Sequence, residues 1–376
     1  MCSAGEELVV IVHVVNNDIG KDGKEILEAK FRLLDKTMVN REQGNQTSVT
    51  EFILLGFKNI PELQTLLFLL LLVIYIGTMA GNILIVMVVV ADQHFHTPMY
   101  FFLVNLSCFE ICCTSTILPR MLASLLTGNR TISIRNCFLQ YNFFAFMVAA
   151  ECYLLSVMSY DRYLAICKPL RYAALMNGKV CAMLAAASWV SGFLASTIIT
   201  SMMSQFIFCG PNEIDHFFCD FNPIIKLSCS DTHLVELTVL ILASIFTLSP
   251  FLTLTSYVYI ILSILRIPSN TGRQKAFSTC SSHLIVVTIF YGTIIIVYLL
   301  PKTNTLKALN KVFSVFYTVL TPLVNPLIYS LRNREVKQAL QKAVNTFVVF
   351  TRLEIVLPAC STLERKWGKR THLETF

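Results

Sequence analysis

The sequence predicts an all-α membrane protein, a bundle of seven membrane-crossing helices with the N-terminus outside. Two observations carry that reading. Of 376 residues, 55% are hydrophobic and only 14% charged, with a mean hydropathy of +0.64. Soluble domains carry about 25% charged residues, so a water-soluble core of this size lacks its polar shell. The charges are also unevenly spread. Leu63–Ala91, Val180–Asn212, Leu237–Leu265, Ala276–Pro301 and Val312–Leu331 contain no Asp, Glu, Lys or Arg. A helix needs ~20 apolar residues at 1.5 Å each to cross a ~30 Å hydrocarbon layer. Two further stretches, His94–Leu122 and Cys137–Tyr160, each hold one acid, Glu110 and Glu151.

In chain order, residues 1–62 form a polar extracellular segment. Its apolar run Leu8–Val15 follows Glu6 and Glu7, lacks a basic flank and is too short to span, so it is no cleaved signal peptide. Helices are expected over 64–91, 98–122, 137–162, 180–203, 235–265, 276–300 and 311–331, within a domain spanning 63–343. The alternation of a barrel strand is absent, and no internal repeat suggests a transporter. The longest loop, roughly 204–234, lies outside between the fourth and fifth helices. After Arg332, Glu335–Val344 is expected as a short amphipathic helix, with Val336, Leu340 and Val344 on one face. Residues 344–376 form a cytoplasmic tail.

The net charge of +7 does not point to nucleic acid, because the bases are scattered and form no continuous patch. They are more numerous on the predicted inner side, as the positive-inside rule requires.

Four of the thirteen cysteines, Cys137, Cys209, Cys219 and Cys229, fall on the predicted outer side, where disulfides persist. Spacing alone leaves three pairings open. A zinc site is the rival, although spacings near ten residues differ from the usual short ligand pairs. Asn45-Gln-Thr and Asn129-Arg-Thr are glycosylation sequons on that same side. Asn105-Leu-Ser lies within the second helix and should stay unmodified.

Four motifs stand at helix ends. They are Met158-Ser-Tyr-Asp-Arg-Tyr-Leu-Ala-Ile-Cys-Lys-Pro-Leu-Arg-Tyr172, Pro322-Leu-Val-Asn-Pro-Leu-Ile-Tyr-Ser-Leu-Arg-Asn333, Pro98-Met-Tyr-Phe-Phe-Leu-Val-Asn-Leu-Ser107 and Lys275-Ala-Phe-Ser-Thr-Cys-Ser-Ser-His-Leu284. Together they resemble the vertebrate olfactory receptors, within the rhodopsin-like G-protein-coupled receptors, from about Asn45 to Leu340. Relatives usually begin shortly before the glycosylated Asn, so Met38 would be a natural start and residues 1–37 an atypical extension. Ser159 stands where an Ala is common in the family.

The resemblance implies a plasma-membrane, multi-pass receptor that is not an enzyme. It would bind a small volatile odorant and activate a heterotrimeric G protein of the stimulatory olfactory type, raising cyclic AMP. Membrane lipid is the other partner, and no nucleic acid is implied. It implies a switch in which Arg162 is held beside Asp161 at the inner end of the third helix, next to Tyr163. Tyr257 and Tyr329 would swing in to support it, and His283 would reach the inner end of the third helix. At Asn325-Pro326, proline removes a backbone donor and kinks the helix, freeing a carbonyl that Asn325 can help satisfy. It also implies the pairs Cys137–Cys219 and Cys209–Cys229, which would fold the long loop as a lid.

Glu110 and Glu151 are carboxylates inside the membrane, which usually face a bundle interior. With Asn82 and Asn325 nearby, one reading keeps each acid neutral and hydrogen-bonded; the other is a possible sodium ion, although many relatives have Asp at position 110. No other cofactor is expected. Motif offsets place Phe144, Val148, Ala149, Ile241, Ile245, Tyr291, Ile294, Ile295, Tyr298 and Thr318 around the ligand. That set suits a small uncharged molecule held by shape and one or two hydrogen bonds. There is no acid near Phe144 for an amine and no lysine in Val312–Leu331 for retinal. The alternatives are a seven-helix channel or transporter and a non-odorant receptor of the same class.

Overall fold

The computed structural model describes residues 49–56, 61–299, 311–332 and the single positions 338 and 341. From Thr50 onward these residues belong to one compact unit. Asn45, residues 1–37, most of Glu335–Val344 and the tail lie outside them.

The elements in order are β1 (Glu51–Leu54), α1 (Pro61–Ala91), α2 (Pro98–Thr127), β2 (Thr131–Ser133), α3 (Ile134–Cys167), α4 (Pro169–Leu175), α5 (Gly178–Met203), β3 (Glu213–Ile214), α6 (Phe221–Ile225), α7 (His233–Leu265) and α8 (Asn270–Ile294). The last extends through a π turn, Ile295–Leu299. The seventh crossing is helical from 311, passes a π turn at Phe316–Leu320 and ends as α9 (Thr321–Arg332). Among the described residues, seven helices are long and apolar enough to cross a membrane. A helix satisfies its own backbone polar groups, which is what hydrocarbon demands.

Local chemistry sets the helix starts. The side chains of Ser133, Asn177 and Ser269 accept from the backbone N–H groups of Asn136, Val180 and Gly272 at 3.3, 3.1 and 3.3 Å. Consequently α3 begins three residues before the expected 137 and runs on to Cys167, and α8 begins at Asn270, six residues before 276. The boundaries expected from charge-free runs missed these polar, capped turns.

α3 is the axis of the bundle. Ala150, Leu154 and Leu155 are fully buried, and α5 crosses close by at Gly192. A Cβ there would sit 2.7 Å from the Ala150 backbone nitrogen and the Phe146 carbonyl oxygen. Only glycine permits that approach, the small-residue packing of membrane helices. Trp189 of α5 lies 4.3 Å from the Phe109 ring and donates from Nε1 to Asn105 Oδ1 at 3.0 Å. The Asn105 side chain is thereby committed inside the bundle. Outward faces carry bare Leu66, Val73 and Phe251, as lipid rather than water would favour.

A small mixed sheet of order β2-β1-β3 caps the outer end. β1 runs antiparallel to β2, with Phe52 opposite Ile132, and parallel to β3, with Ile53 opposite Glu213. The long loop is pinned by the disulfides Cys137–Cys219 and Cys209–Cys229, whose Cα atoms lie 5.5 and 6.0 Å apart. The seven other described cysteines are unpaired.

Candidate functional site: an outer pocket, a buried polar core and an inner latch

The fold places three polar clusters at three depths along α3. At the outer end, Phe144 is buried beneath Phe218 of the long loop, ring centroids 4.9 Å apart, and beside Tyr317 at 5.8 Å. The Tyr298 hydroxyl donates to Asp220 Oδ1 at 3.1 Å and lies 3.1 Å from the Tyr317 hydroxyl. Asp220 is buried and also caps α6 by accepting from the Phe221 N–H at 2.8 Å. Loop, sixth crossing and seventh crossing therefore meet at the Tyr298 hydroxyl. Thr318 is buried nearby, its hydroxyl donating to the Ser314 carbonyl at 2.7 Å. Val148, Ala149 and Ile294 are half-buried.

Three of the residues expected here are largely exposed. Ile241 and Ile245 of α7 are 55% and 51% exposed, and Ile295 is 44% exposed. The inward face of α7 is defined by buried Ser249, Thr253, Tyr257, Ile260 and Ile264. Continued up the helix at its 3.6-residue period, that face carries Phe246 and Leu242 instead of Ile245 and Ile241. Phe246 packs on Tyr153 of α3 at 4.8 Å.

Tyr291 lies deeper and serves a different cluster. Its hydroxyl donates to the Cys152 carbonyl at 2.8 Å and meets Ser249 Oγ at 2.7 Å. Ser156 Oγ donates to the Ser249 carbonyl at 2.8 Å and lies 3.2 Å from Thr253 Oγ1. These groups knot α3, α7 and α8 together inside the membrane, where an unpaired hydroxyl is expensive.

At the same depth on the other side, Glu110 of α2 accepts from the Asn325 side chain, and Glu151 of α3 is buried with Oε1 lacking any hydrogen-bond partner. Two carboxylates and one amide thus converge, although no group of three or more acid, His or Cys side chains suited to a metal occurs among the described residues. Pro326 cannot donate to the carbonyl four residues back, that of Pro322. Asn82 of α1 supplies the missing donor at 3.1 Å, while its Nδ2 also reaches the Thr78 carbonyl at 3.0 Å. The freed carbonyl is therefore satisfied by Asn82 and not by Asn325, whose amide is turned toward Glu110.

At the inner end, buried Asp161 binds Arg162 through Oδ2, with Nε at 3.0 Å. Its Oδ1 accepts from the Tyr172 hydroxyl of α4 at 2.8 Å. Burial first, then the adjacent Asp161 carboxylate, raises the Tyr172 phenol above its ordinary value, so it remains a donor at neutral pH. Tyr257 of α7 hydrogen-bonds His283 Nδ1 of α8 at 2.6 Å, rings stacked. His283 is thus held by the fifth crossing, next to the third. Tyr163 sits between Tyr160 and Tyr259, with Lys168 over its ring. The Tyr329 side chain lies outside the description.

Several of these residues escaped the sequence reading. Asp220 carried one signal, its place beside Cys219. Ser156, Ser249 and Thr253 carried none, being single hydroxyls in long apolar runs. Tyr172 closed a motif already quoted, yet its partner is visible only once α4 folds back. Asn129, in the turn before β2, is exposed and accepts from the Thr131 backbone at 2.9 Å.

Residues 71–346 match the family described as olfactory receptor. The chain is 50% identical over 304 residues to olfactory receptor 11L1 of Homo sapiens, an alignment covering 81% of this chain and 94% of the relative. It is 50% identical over 306 residues to human olfactory receptor 10A7, covering 81% and 97%. It is 46% identical over 319 residues to olfactory receptor 5M5 of Mus musculus, covering 84% and 99%. With seven membrane-length helices and this match over most of its length, the chain belongs to the olfactory receptor family, non-enzymatic seven-helix receptors of the plasma membrane.

Proposed function

We propose that this receptor binds small, uncharged volatile molecules in its outer half and drives a stimulatory, olfactory-type heterotrimeric G protein, raising cyclic AMP. The observation that carries the reading is the vertical arrangement of the three clusters along α3. Phe144, Phe218 and the Tyr317–Tyr298–Asp220 relay supply an apolar surface with a few polar anchors, the composition of a small-molecule site. A ligand hydroxyl or carbonyl that exchanges with the Tyr298–Asp220 bond biases the position of α8. Tyr291 shares that helix and is tied to Ser156 and Ser249, so the bias passes to α3 and α7. Tyr257–His283 and Asp161–Arg162–Tyr172 are the inner contacts that must then rearrange before Arg162 can meet a G protein.

A ligand shifts such an equilibrium only by its differential affinity for the two states. Glu110, Glu151 and Asn325 are the residues that would hold a sodium ion favouring the resting state, and the partnerless Glu151 Oε1 fits that role. Sodium titrated against agonist potency tests it: a real sodium effect that survives Glu110→Gln sinks the ion site. The glycans would stand on Asn45 and Asn129.

The function is tested by a panel of volatiles on cells carrying the full-length receptor and a cyclic AMP reporter. Activation by apolar or mono-oxygenated volatiles supports it. Silence to volatiles combined with response to a peptide or charged amine would replace it with a non-odorant receptor.

A further inference from the structure

The segment 50–56 does more than lead into the first crossing. β1 is the central strand of the outer sheet, and its backbone is bonded on both sides. On the loop side, the N–H groups of Ile53, Leu55 and Gly56 donate to the carbonyls of Asn212, Ile214 and His216 at 2.8, 2.9 and 3.1 Å. On the other side, the Leu54 N–H donates to the Arg130 carbonyl at 3.0 Å, and Arg130 Nη1 donates to the Leu55 carbonyl at 3.1 Å. Phe52 is fully buried, edge-on to Phe208 of the long loop at 5.0 Å. Gly56 then turns with φ +61, a left-handed conformation that a Cβ disfavours.

The loop residues so bound lead directly to the pocket. Four residues after Ile214 comes Phe218, which lies on Phe144; Asp220, which binds Tyr298, follows two later. Residues 216–220 are all buried. At the far end of the segment, Lys311 Nζ, at the start of the seventh crossing, donates to the Gly56 carbonyl at 3.2 Å and pairs with Asp215. One ammonium joins the N-terminal segment, the loop and the seventh crossing.

We propose that residues 50–56 are a strap holding the long loop shut over the pocket, that Lys311 is its clasp, and that opening of the clasp sets how fast water-borne solutes reach the bundle interior. The two kinds of contact divide the work. β1 is the central strand and has no free edge of its own, so the ladder keeps the strap in register. The Lys311–Asp215 pair is exposed on its Asp side, 70% for that side chain, and such pairs hold weakly. It is the contact suited to open and close while the ladder stays formed. Because Lys311 shares its crossing with Tyr317 and Thr318, movement of that helix and opening of the lid are mechanically one event.

The test needs no knowledge of the odorant. In the full-length receptor on intact cells, Thr318→Cys places a thiol under the lid. The probe is 2-(trimethylammonium)ethyl methanethiosulfonate, a fixed cation that does not cross lipid. The thiolate attacks its sulfenyl sulfur, forming a mixed disulfide and releasing methanesulfinate. The receptor without Thr318→Cys gives the background. Adding Lys311→Met or Asp215→Asn is expected to accelerate labelling by up to about fivefold at equal surface level, and the exchanged pair Lys311→Asp with Asp215→Lys to return it toward the parent rate. Phe52→Ala, which loosens the strap without touching the clasp, should accelerate it as well. Ile53→Cys with Glu213→Cys, opposed across the two strands, should slow it by cross-linking strap to loop. Labelling equally fast in the parent, in Lys311→Met and in Phe52→Ala would overturn the proposal, as would a cross-linked strap that labels no more slowly than the parent.

Discussion

Asn82 donates from Nδ2 to the carbonyl of Pro322 at 3.1 Å, across 240 residues of sequence. That carbonyl is orphaned because Pro326 has no N–H, so a side chain of the first crossing completes the backbone of the seventh. Gly81 lies against the Pro326 ring, where an added Cβ would meet it at 3.3 Å. The first crossing is otherwise one of the two most exposed members of the bundle, and this contact fixes it to the helix that carries Pro326. Replacing Asn82 by Leu leaves a buried acceptor unsatisfied, a cost of about 1–3 kcal/mol. The expected outcome is a severalfold loss of surface receptor, read by an extracellular epitope tag, with Asn82→Gln retaining more than Asn82→Leu.

The Tyr298–Asp220 bond makes a separate prediction about potency. Hydrogen bonds to charged groups contribute about 1.5–3 kcal/mol, roughly ten- to a hundredfold in an equilibrium. Tyr298→Phe and Asp220→Ala should each shift the half-maximal concentration of an active volatile by at least about tenfold. The double variant should be little worse than either single one, because both remove the same bond. Full additivity would mean that the two residues act on the ligand independently.

Tyr172 reports on the inner latch. Its hydroxyl occupies Asp161 Oδ1 while Arg162 holds Oδ2. Tyr172→Phe removes a hydroxyl that donates to the Asp161 carboxylate, a bond to a charged group worth about 1.5–3 kcal/mol, and basal cyclic AMP should rise by about tenfold. Since the phenol is raised by burial and by Asp161, it stays protonated through neutral pH, and this basal signal should be flat between about pH 6 and 8. Unchanged basal activity at matched surface level would remove Tyr172 from the latch.

The outer lid carries its own pH dependence. His216 is buried outside the membrane-spanning segments, and burial, with a smaller push from Lys311, lowers it from 6.5 to about 3; Asp215 acts the other way. The neutral imidazole is the form the fold accepts. Its contribution is complete above pH ~6.5 and is lost as the pH falls toward 3, by up to about 1.4 kcal/mol per unit. At pH 5 the lid should be weaker by about 2 kcal/mol. Hydrogen exchange in residues 212–220 should therefore quicken between pH 7.5 and 5 after correction for intrinsic rates, and His216→Phe should abolish that difference.

The bundle was legible in the sequence because lipid imposes a one-dimensional rule. Long runs without charge must be helices, and the exceptions, Glu110, Glu151, Asp161 and Arg162, were therefore conspicuous. What stayed hidden depends on rotation and on chain reversal. The side of α7 that carries Ile241 and Ile245 is not legible in the sequence because α7 is apolar all round, so hydropathy does not say which side faces inward; Ser249 and Thr253 set that side. Asn325 was credited with the Pro322 carbonyl by proximity, whereas geometry assigns it to Asn82. The strap 50–56 is hidden within the polar segment 1–62 because a four-residue strand has no periodicity to detect. Its partners, at positions 131–133 and 213–214, are far away in sequence.

The most direct measurement of the central claim compares cyclic AMP evoked by an active volatile in three settings. These are the parent receptor, Arg162→Ala at equal surface level, and the parent in cells lacking the stimulatory Gα subunits. A receptor that works through the Asp161–Arg162–Tyr172 latch gives a dose-dependent rise in the first and none in the other two. A volatile-evoked ionic current that persists without Gα, or a cyclic AMP response that survives Arg162→Ala, would contradict it.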